Sequence, residues 1–162
     1  MRIILHNYMK KTNTLAIILF LALNYSCSQE SNSIKYSNTI TEDNLKDLLY
    51  VYASDEFEGR ETGEKGQKLA VEFLREFYKE NKIPPAENTE DYFQKLRLNL
   101  PGKVDWVESE NVAAIIKGSD KPNEFIVISA HLDHVGKRGE DIYNGADDDG
   151  SGSMALLEIA QS

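Results

Sequence analysis

The chain has 162 residues, of which 18 are basic and 27 acidic, and its formal net charge is −9. No run of Lys or Arg interrupts this acidic balance, which argues against a nucleic-acid partner bound through its phosphates. Hydrophobic residues make up 41% of the sequence, enough for the packed core of one domain, so a wholly disordered chain is excluded. The single cysteine, Cys27, excludes an intramolecular disulfide and a cysteine-based zinc knuckle.

Residues 1–26 have the layout of a secretory signal peptide. Three cations and no acid precede the apolar run at residues 15–23, and this run is shorter than the about 20 apolar residues that a membrane-spanning helix needs. We therefore expect the chain to be exported and residues 1–26 to be removed.

The sequence around Cys27 resembles a bacterial lipoprotein signal, in which a cysteine after a small residue, here Ser26, is lipidated. Cys27 is the predicted lipidation site, and residues 27–40 are predicted to be a polar tether. The alternative is an ordinary cleavage site followed by an incidental thiol. Both place the protein in the cell envelope, either periplasmic or attached to the membrane only through the lipid.

Two helices are expected between residues 41 and 81. The first has Thr41 as its N-cap and ends near Ser54, and the second ends by Asn81 because two prolines follow. Their apolar stripes are Leu45, Leu48, Leu49 and Tyr52 in the first helix and Leu69, Ala70, Phe73, Leu74, Phe77 and Tyr78 in the second. Residues 55–66, charged and glycine-containing, predict a surface loop.

Strand patterns follow the prolines. Residues 96–100 alternate as a half-exposed strand, residues 111–117 predict a second strand, and the apolar run 125–129 predicts a strand covered on both faces. A last helix is expected over residues 151–161. Helices mixed with strands in this way indicate an α/β fold.

The candidate chemistry begins where the apolar run ends. His131 and Asp133 are two residues apart, so on a strand end they share one side, and the carboxylate can orient the imidazole towards a metal. A neutral imidazole with a carboxylate behind it is a normal zinc-ligand arrangement. A surface ion pair is the alternative.

Three successive aspartates, residues 147–149, repel one another unless water or a cation lies among them. Glycines on both sides allow close approach of the backbone before a helix begins, which favours a metal site over a solvated acidic turn. A helix-loop-helix calcium site is disfavoured because its acids would lie at alternate positions.

Together, HLDHVG and YNGADDDGSG resemble the first half of the active site of metallopeptidase family 28, which includes bacterial leucyl aminopeptidases, aminopeptidase Y, glutamate carboxypeptidase II and, as relatives, glutaminyl cyclases. The segments ASDEFEGRETGEKG and ENVAAIIKGSD are similar to those that precede the zinc ligands in bacterial members. The resemblance implies an α/β/α sandwich of the zinc-exopeptidase type with a mixed sheet, whose amino-terminal part is residues 41–162.

Position by position, the resemblance implies that His131 binds one of two zinc ions and that Asp148 bridges both. Asp133 is the acid behind the histidine, and the peptide bond after Asp148 is expected to be cis. His134, Asp147, Asp149 and Tyr143 receive no catalytic role, and the GRETG segment either lines the mouth of the site or is solvated surface.

The implied activity is hydrolysis of amino-terminal peptide bonds in a peptide substrate, with two Zn²⁺ ions as cofactors. The family's Glu-Glu pair, which contains the general base, and its later ligands do not occur in the sequence, and Glu158 is misplaced to be the base. We therefore expect a fragment that is inactive alone. The alternatives are a non-catalytic, peptidase-like envelope lipoprotein and a glutaminyl-cyclase-like relative.

Overall fold

The computed structural model describes residues 32–162. The predicted signal peptide, residues 1–26, the predicted lipidation site Cys27 and the first part of the predicted tether lie outside these residues. The chain divides into two units after Asn38. In the first unit, helix α1 (Asn32–Ser37) is a short helix within the segment predicted as a tether. The other elements belong to the second unit, Thr39–Ser162.

Helix α2 (Glu42–Tyr52) begins where the sequence predicts. The Thr41 hydroxyl accepts a hydrogen bond from the Asn44 backbone N–H at 3.2 Å, which satisfies one of the donors left free at a helix start. Glu42 and Asp43 place negative charge in the first turn, where the helix dipole favours it. The predicted N-cap is confirmed.

Helix α3 (Lys65–Glu80) is also confirmed, and it ends one residue before Asn81. The segment between the two helices is not the surface loop that the sequence predicts. Residues Asp55–Arg60 form a 3₁₀ helix in which Phe57, Gly59 and Arg60 are buried. The prediction was wrong because the charges of this segment indicated exposure, whereas the charged Arg60 is buried and makes hydrogen bonds inside the fold.

The strands form two antiparallel hairpins. Strand β1 (Phe93–Leu98) pairs with β2 (Val107–Val112), and strand β3 (Gly136–Arg138) pairs with β4 (Asp141–Tyr143). In β1, Leu96 and Leu98 are half-buried while their neighbours are exposed, so the predicted alternation is confirmed. Together with the helices, these hairpins make the described chain a mixed α/β structure.

The strand predicted over residues 111–117 is wrong in position. Pairing with β1 fixes the end of β2 at Val112, opposite Phe93. Beyond that point the backbone bonds to a different segment, since the Ile115 N–H donates to the Pro84 carbonyl at 3.0 Å. These long-range pairings carry no local sequence signal.

The buried strand predicted over residues 125–129 is also wrong. Phe125 and Ile126 are 72% and 94% exposed, and this run forms no strand. An apolar run becomes a strand only where a neighbour accepts its backbone bonds, and among residues 32–162 no strand pairs with it.

Helix α4 (Ser151–Gln161) packs its apolar side against α2 and α3. The rings of Tyr52, Phe57 and Phe73 lie 5.5–5.7 Å apart beside it. The core cluster is Tyr52, Phe57, Ala70, Leu74, Met154 and Leu157. Leu69 alone of the predicted α3 stripe is largely exposed. Within the described part of the chain, the helices are all too short or too polar to cross a membrane.

Replacing Leu157 by Ala should lower the free energy of unfolding by about 2–5 kcal/mol, because Leu157 is fully buried and its removal leaves a cavity. Ile159→Ala, on the same helix, is the matched control. Ile159 is 44% exposed, so its change should stay within about 0.5 kcal/mol. Urea denaturation of both variants measures the difference, and equal losses would contradict this packing.

Candidate metal and active site

The structure brings the two predicted zinc ligands together. His131 lies just before the β3–β4 hairpin, and Asp148 lies just after it, in a π-helical turn (Ala146–Gly150). The Nε2 atom of His131 is 2.9 Å from Oδ1 of Asp148. Both side chains are more than half exposed. A cation or a substrate can therefore reach them from solvent.

The imidazole of His131 is oriented from its other side by a backbone group. Its Nδ1 atom is 2.9 Å from the carbonyl oxygen of Asp133. The Asp133 carbonyl and the Asp148 carboxylate can only accept hydrogen bonds, so the protonated ring donates from both nitrogens. When Nε2 loses its proton, Nδ1–H stays bonded to the carbonyl and the lone pair of Nε2 becomes free for a metal. This is the tautomer that a metal bound at Nε2 requires.

The carboxylate of Asp133 lies slightly further away. Its Oδ1 atom is 3.6 Å from Nδ1 of His131, which is beyond hydrogen-bond distance. Its Oδ2 atom accepts a hydrogen bond from the hydroxyl of Thr62. The carboxylate therefore lies on the Nδ1 side of the imidazole without bonding to it, and the carbonyl of the same residue makes the direct contact.

The charges around His131 change its pKa. Partial burial lowers the pKa of this imidazole, but the hydrogen bonds to the Asp133 carbonyl and the Asp148 carboxylate outweigh it, and the net direction is upward. The protonated ring is therefore favoured when only the carboxylates surround it.

The aspartate turn has a specific backbone geometry. The Asp148–Asp149 peptide bond is cis, as the resemblance implies. Oδ2 of Asp149 accepts a hydrogen bond from the His131 backbone N–H at 3.2 Å, which ties the turn to the histidine segment. Gly145 has a φ of +54°, and a Cβ there would lie 2.4 Å from the His134 ring, so this close approach requires glycine.

His134 is the other histidine near the site. Its Nδ1 atom is 3.7 Å from Oδ2 of Asp148, and the ring is largely buried. Glu158, in contrast, is buried in helix α4, and its carboxylate accepts a hydrogen bond from the Asn44 side chain at 3.4 Å.

Arg60 is the residue that sequence reasoning missed. It is fully buried, and within residues 32–162 its guanidinium donates to four backbone carbonyls. The acceptors are Leu132 at 2.9 Å, Tyr52 at 3.0 Å, Asn144 at 2.7 Å and Gly145 at 2.8 Å. Two of these carbonyls directly precede the aspartate turn and one lies between His131 and Asp133. Arg60 therefore connects the two ligand-bearing segments.

Tyr52 stabilises Arg60 and bonds to the same histidine segment. Its ring lies 4.5 Å from the Arg60 guanidinium carbon, a distance suited to cation–π attraction, and its hydroxyl donates to the Leu132 carbonyl at 3.1 Å. Burial raises the pKa of Tyr52 to about 12. Burial also lowers the pKa of Arg60, yet a guanidinium stays protonated at neutral pH.

The donor set fits part of a zinc site. Imidazole nitrogen and carboxylate oxygen are normal zinc ligands, and in a tetrahedral site such donors lie about 3–3.5 Å apart. The His131 and Asp148 atoms need only a small separation to reach that spacing. Within residues 32–162, no group of three or more His, Cys, Asp or Glu side chains is arranged to hold a metal ion.

A cavity of about 540 Å³ lies beside His131. His131 and Asp133 lie at its edge, and apolar side chains such as Leu96 and Val112 line it together with Glu110.

Comparison with known proteins gives one match. Residues 111–162 match the model described as Peptidase family M28. This range contains His131, Asp133 and Asp148, and the resemblance to metallopeptidase family 28 is confirmed over it. The upstream part of the resemblance, residues 45–110, lies outside the match. Neither the curated proteins nor the solved structures that were searched contain a match.

Replacing Arg60 by Leu should lower the free energy of unfolding by about 3 kcal/mol or more, because buried carbonyls lose their donors. Arg97→Leu is the matched control. Arg97 forms an exposed ion pair with Glu108, and such a pair contributes about 0–1 kcal/mol. Urea denaturation compares the two variants, and a loss at Arg60 no larger than that at Arg97 would contradict the role given to the buried guanidinium.

Proposed function

We propose that this chain carries part of the active site of a zinc-dependent exopeptidase that removes residues from the amino terminus of peptides. A peptidase-like function is suggested by the family match over residues 111–162. The observation that carries the proposal further is the 2.9 Å approach of His131 Nε2 to Asp148 Oδ1 within that range. The two donors come from segments that are separated in sequence and are held together by buried contacts.

Each residue of the site has a defined task in this proposal. His131 offers Nε2 because its Nδ1 proton is held by the Asp133 carbonyl. Asp148 offers a carboxylate from a turn anchored by Arg60, and it would bridge two zinc ions in the family arrangement. Zinc, when bound, supplies polarisation of the scissile carbonyl and activation of water. Asp133 keeps negative charge behind the imidazole, which strengthens it as a ligand.

The zinc-exopeptidase type of α/β/α sandwich is part of the same proposal. It is supported by the three packed helices α2, α3 and α4 and by the position of the ligand pair after the apolar run 125–129. The substrate would be a peptide, and the cavity beside His131 would receive one of its side chains.

Export to the cell envelope, with a lipid on Cys27, is also proposed. It is supported by the charge pattern and apolar run of residues 1–26 and by the small residue before Cys27. Mass spectrometry of the cell-envelope product should find a mass added at Cys27, and Cys27→Ser should abolish it. An unmodified Cys27 in the exported product would contradict the lipid anchor.

Zinc binding tests the ligand pair directly. The full chain should bind Zn²⁺ in isothermal titration calorimetry, and His131→Ala or Asp148→Asn should weaken binding by at least about tenfold, since each removes a metal donor. Asp147→Asn is the matched control, because Asp147 is in the same acidic run but does not contact His131. Equal losses at Asp147 and Asp148 would indicate attraction by net charge and would contradict the assigned ligands.

Hydrolysis tests the reaction class. A protein that joins this chain to the family's Glu-Glu pair and later ligands should release the chromophore of an aminoacyl p-nitroanilide, and a chelator or His131→Ala should stop it. Turnover that survives both treatments would contradict the proposal. Cyclisation of amino-terminal glutaminyl peptides, without hydrolysis, would instead identify a cyclase.

A further inference from the structure

We propose that Thr62 is a positioning residue for the metal site, and that its hydroxyl fixes the carboxylate of Asp133 behind His131. This inference rests on the proposed function, since it assigns a residue to the same site. Thr62 lies in the segment predicted as a charged loop, outside the range that matches the family model.

Thr62 and Asp133 are joined by a side-chain hydrogen bond. The Thr62 hydroxyl contacts Oδ2 of Asp133. An ionised carboxylate can only accept, so the hydroxyl donates, and a hydrogen bond to a charged acceptor is stronger than one between neutral groups.

Contacts of the two preceding residues, Arg60 and Glu61, hold the backbone at Thr62. The His134 N–H donates to the Arg60 carbonyl at 3.1 Å, which places the segment after Arg60 alongside Asp133. Next to Thr62, Glu61 pairs with Arg138 at 3.0 Å and with Lys103 at 3.5 Å. Thr62 is thus held from its amino-terminal side by contacts that do not involve its own hydroxyl.

The hydrogen bond from Thr62 fixes the rotamer of the Asp133 side chain. With Oδ2 held by Thr62, Oδ1 of Asp133 remains 3.6 Å from the Nδ1 atom of His131. The carboxylate of Asp133 is otherwise partly open to solvent, where it would exchange between rotamers. One fixed rotamer keeps its charge on the proton-bearing side of the imidazole. A group that hydrogen-bonds a metal-binding histidine directly typically changes metal affinity by about 10–100-fold. Thr62 acts one contact further out, through the Asp133 carboxylate, so its effect is smaller.

The test compares Thr62→Val with Thr62→Ser in the full chain. Valine keeps the branched shape and removes the hydroxyl, whereas serine keeps the hydroxyl. Three-bond NMR couplings of Asp133, measured without metal, should report one χ1 rotamer in the wild type and in Thr62→Ser and an average in Thr62→Val. Zinc affinity should fall by up to about tenfold in Thr62→Val and stay near the wild-type value in Thr62→Ser.

Thr89→Val is the matched control. The Thr89 hydroxyl also makes a hydrogen bond, to the Ala86 carbonyl at 2.7 Å, but it lies in another loop. This variant should change neither the Asp133 couplings nor zinc affinity. An unchanged Asp133 rotamer in Thr62→Val, or an equal effect in Thr62→Ser, would overturn the inference. A wild-type chain that does not bind zinc would overturn the proposed function instead, while the couplings would still decide the role of Thr62.

Discussion

The buried guanidinium of Arg60 is the contact on which the site depends. Removing a cation from water is costly unless its hydrogen bonds are replaced, and here four backbone carbonyls and the face of Tyr52 replace them. These carbonyls belong to the end of helix α2, the histidine segment and the two residues before the aspartate turn. Three parts of the chain that are distant in sequence therefore meet at one side chain.

The geometry of the ligand pair follows from this junction. His131 is held from behind by the Asp133 carbonyl, and the aspartate turn is held by Arg60 at Asn144 and Gly145 and by the Asp149 bond to the His131 backbone. The ligand side chains themselves remain exposed. A rigid, buried support below an open pair of donors is the arrangement expected of a site that binds a metal and admits a substrate.

Sequence patterns predicted the features that depend on residues close together in the chain. Thr41 and the apolar stripes were sufficient for α2 and α3, and the spacing of His131 and Asp148, read through the family resemblance, identified the pair that the structure brings together. The predictions that failed concern contacts between residues far apart in the sequence. The run Phe125 to Ser129 has strand composition but no described partner, and Arg60 bonds to carbonyls, which every residue possesses and no sequence pattern marks. Thr62 was inside a segment that was expected either to line the mouth of the site or to be solvated surface, and no local pattern marked its hydroxyl.

Hydrogen exchange of the Arg60 side chain tests this account most directly, because it needs no substitution and no metal. The Nε–H of Arg60 donates to the Leu132 carbonyl and is fully buried, so its NMR signal should exchange with solvent far more slowly than that of Arg97, which is exposed. It should also show contacts to Leu132 and Gly145. Exchange as fast as that of Arg97, without those contacts, would contradict the claim that Arg60 joins the two ligand segments.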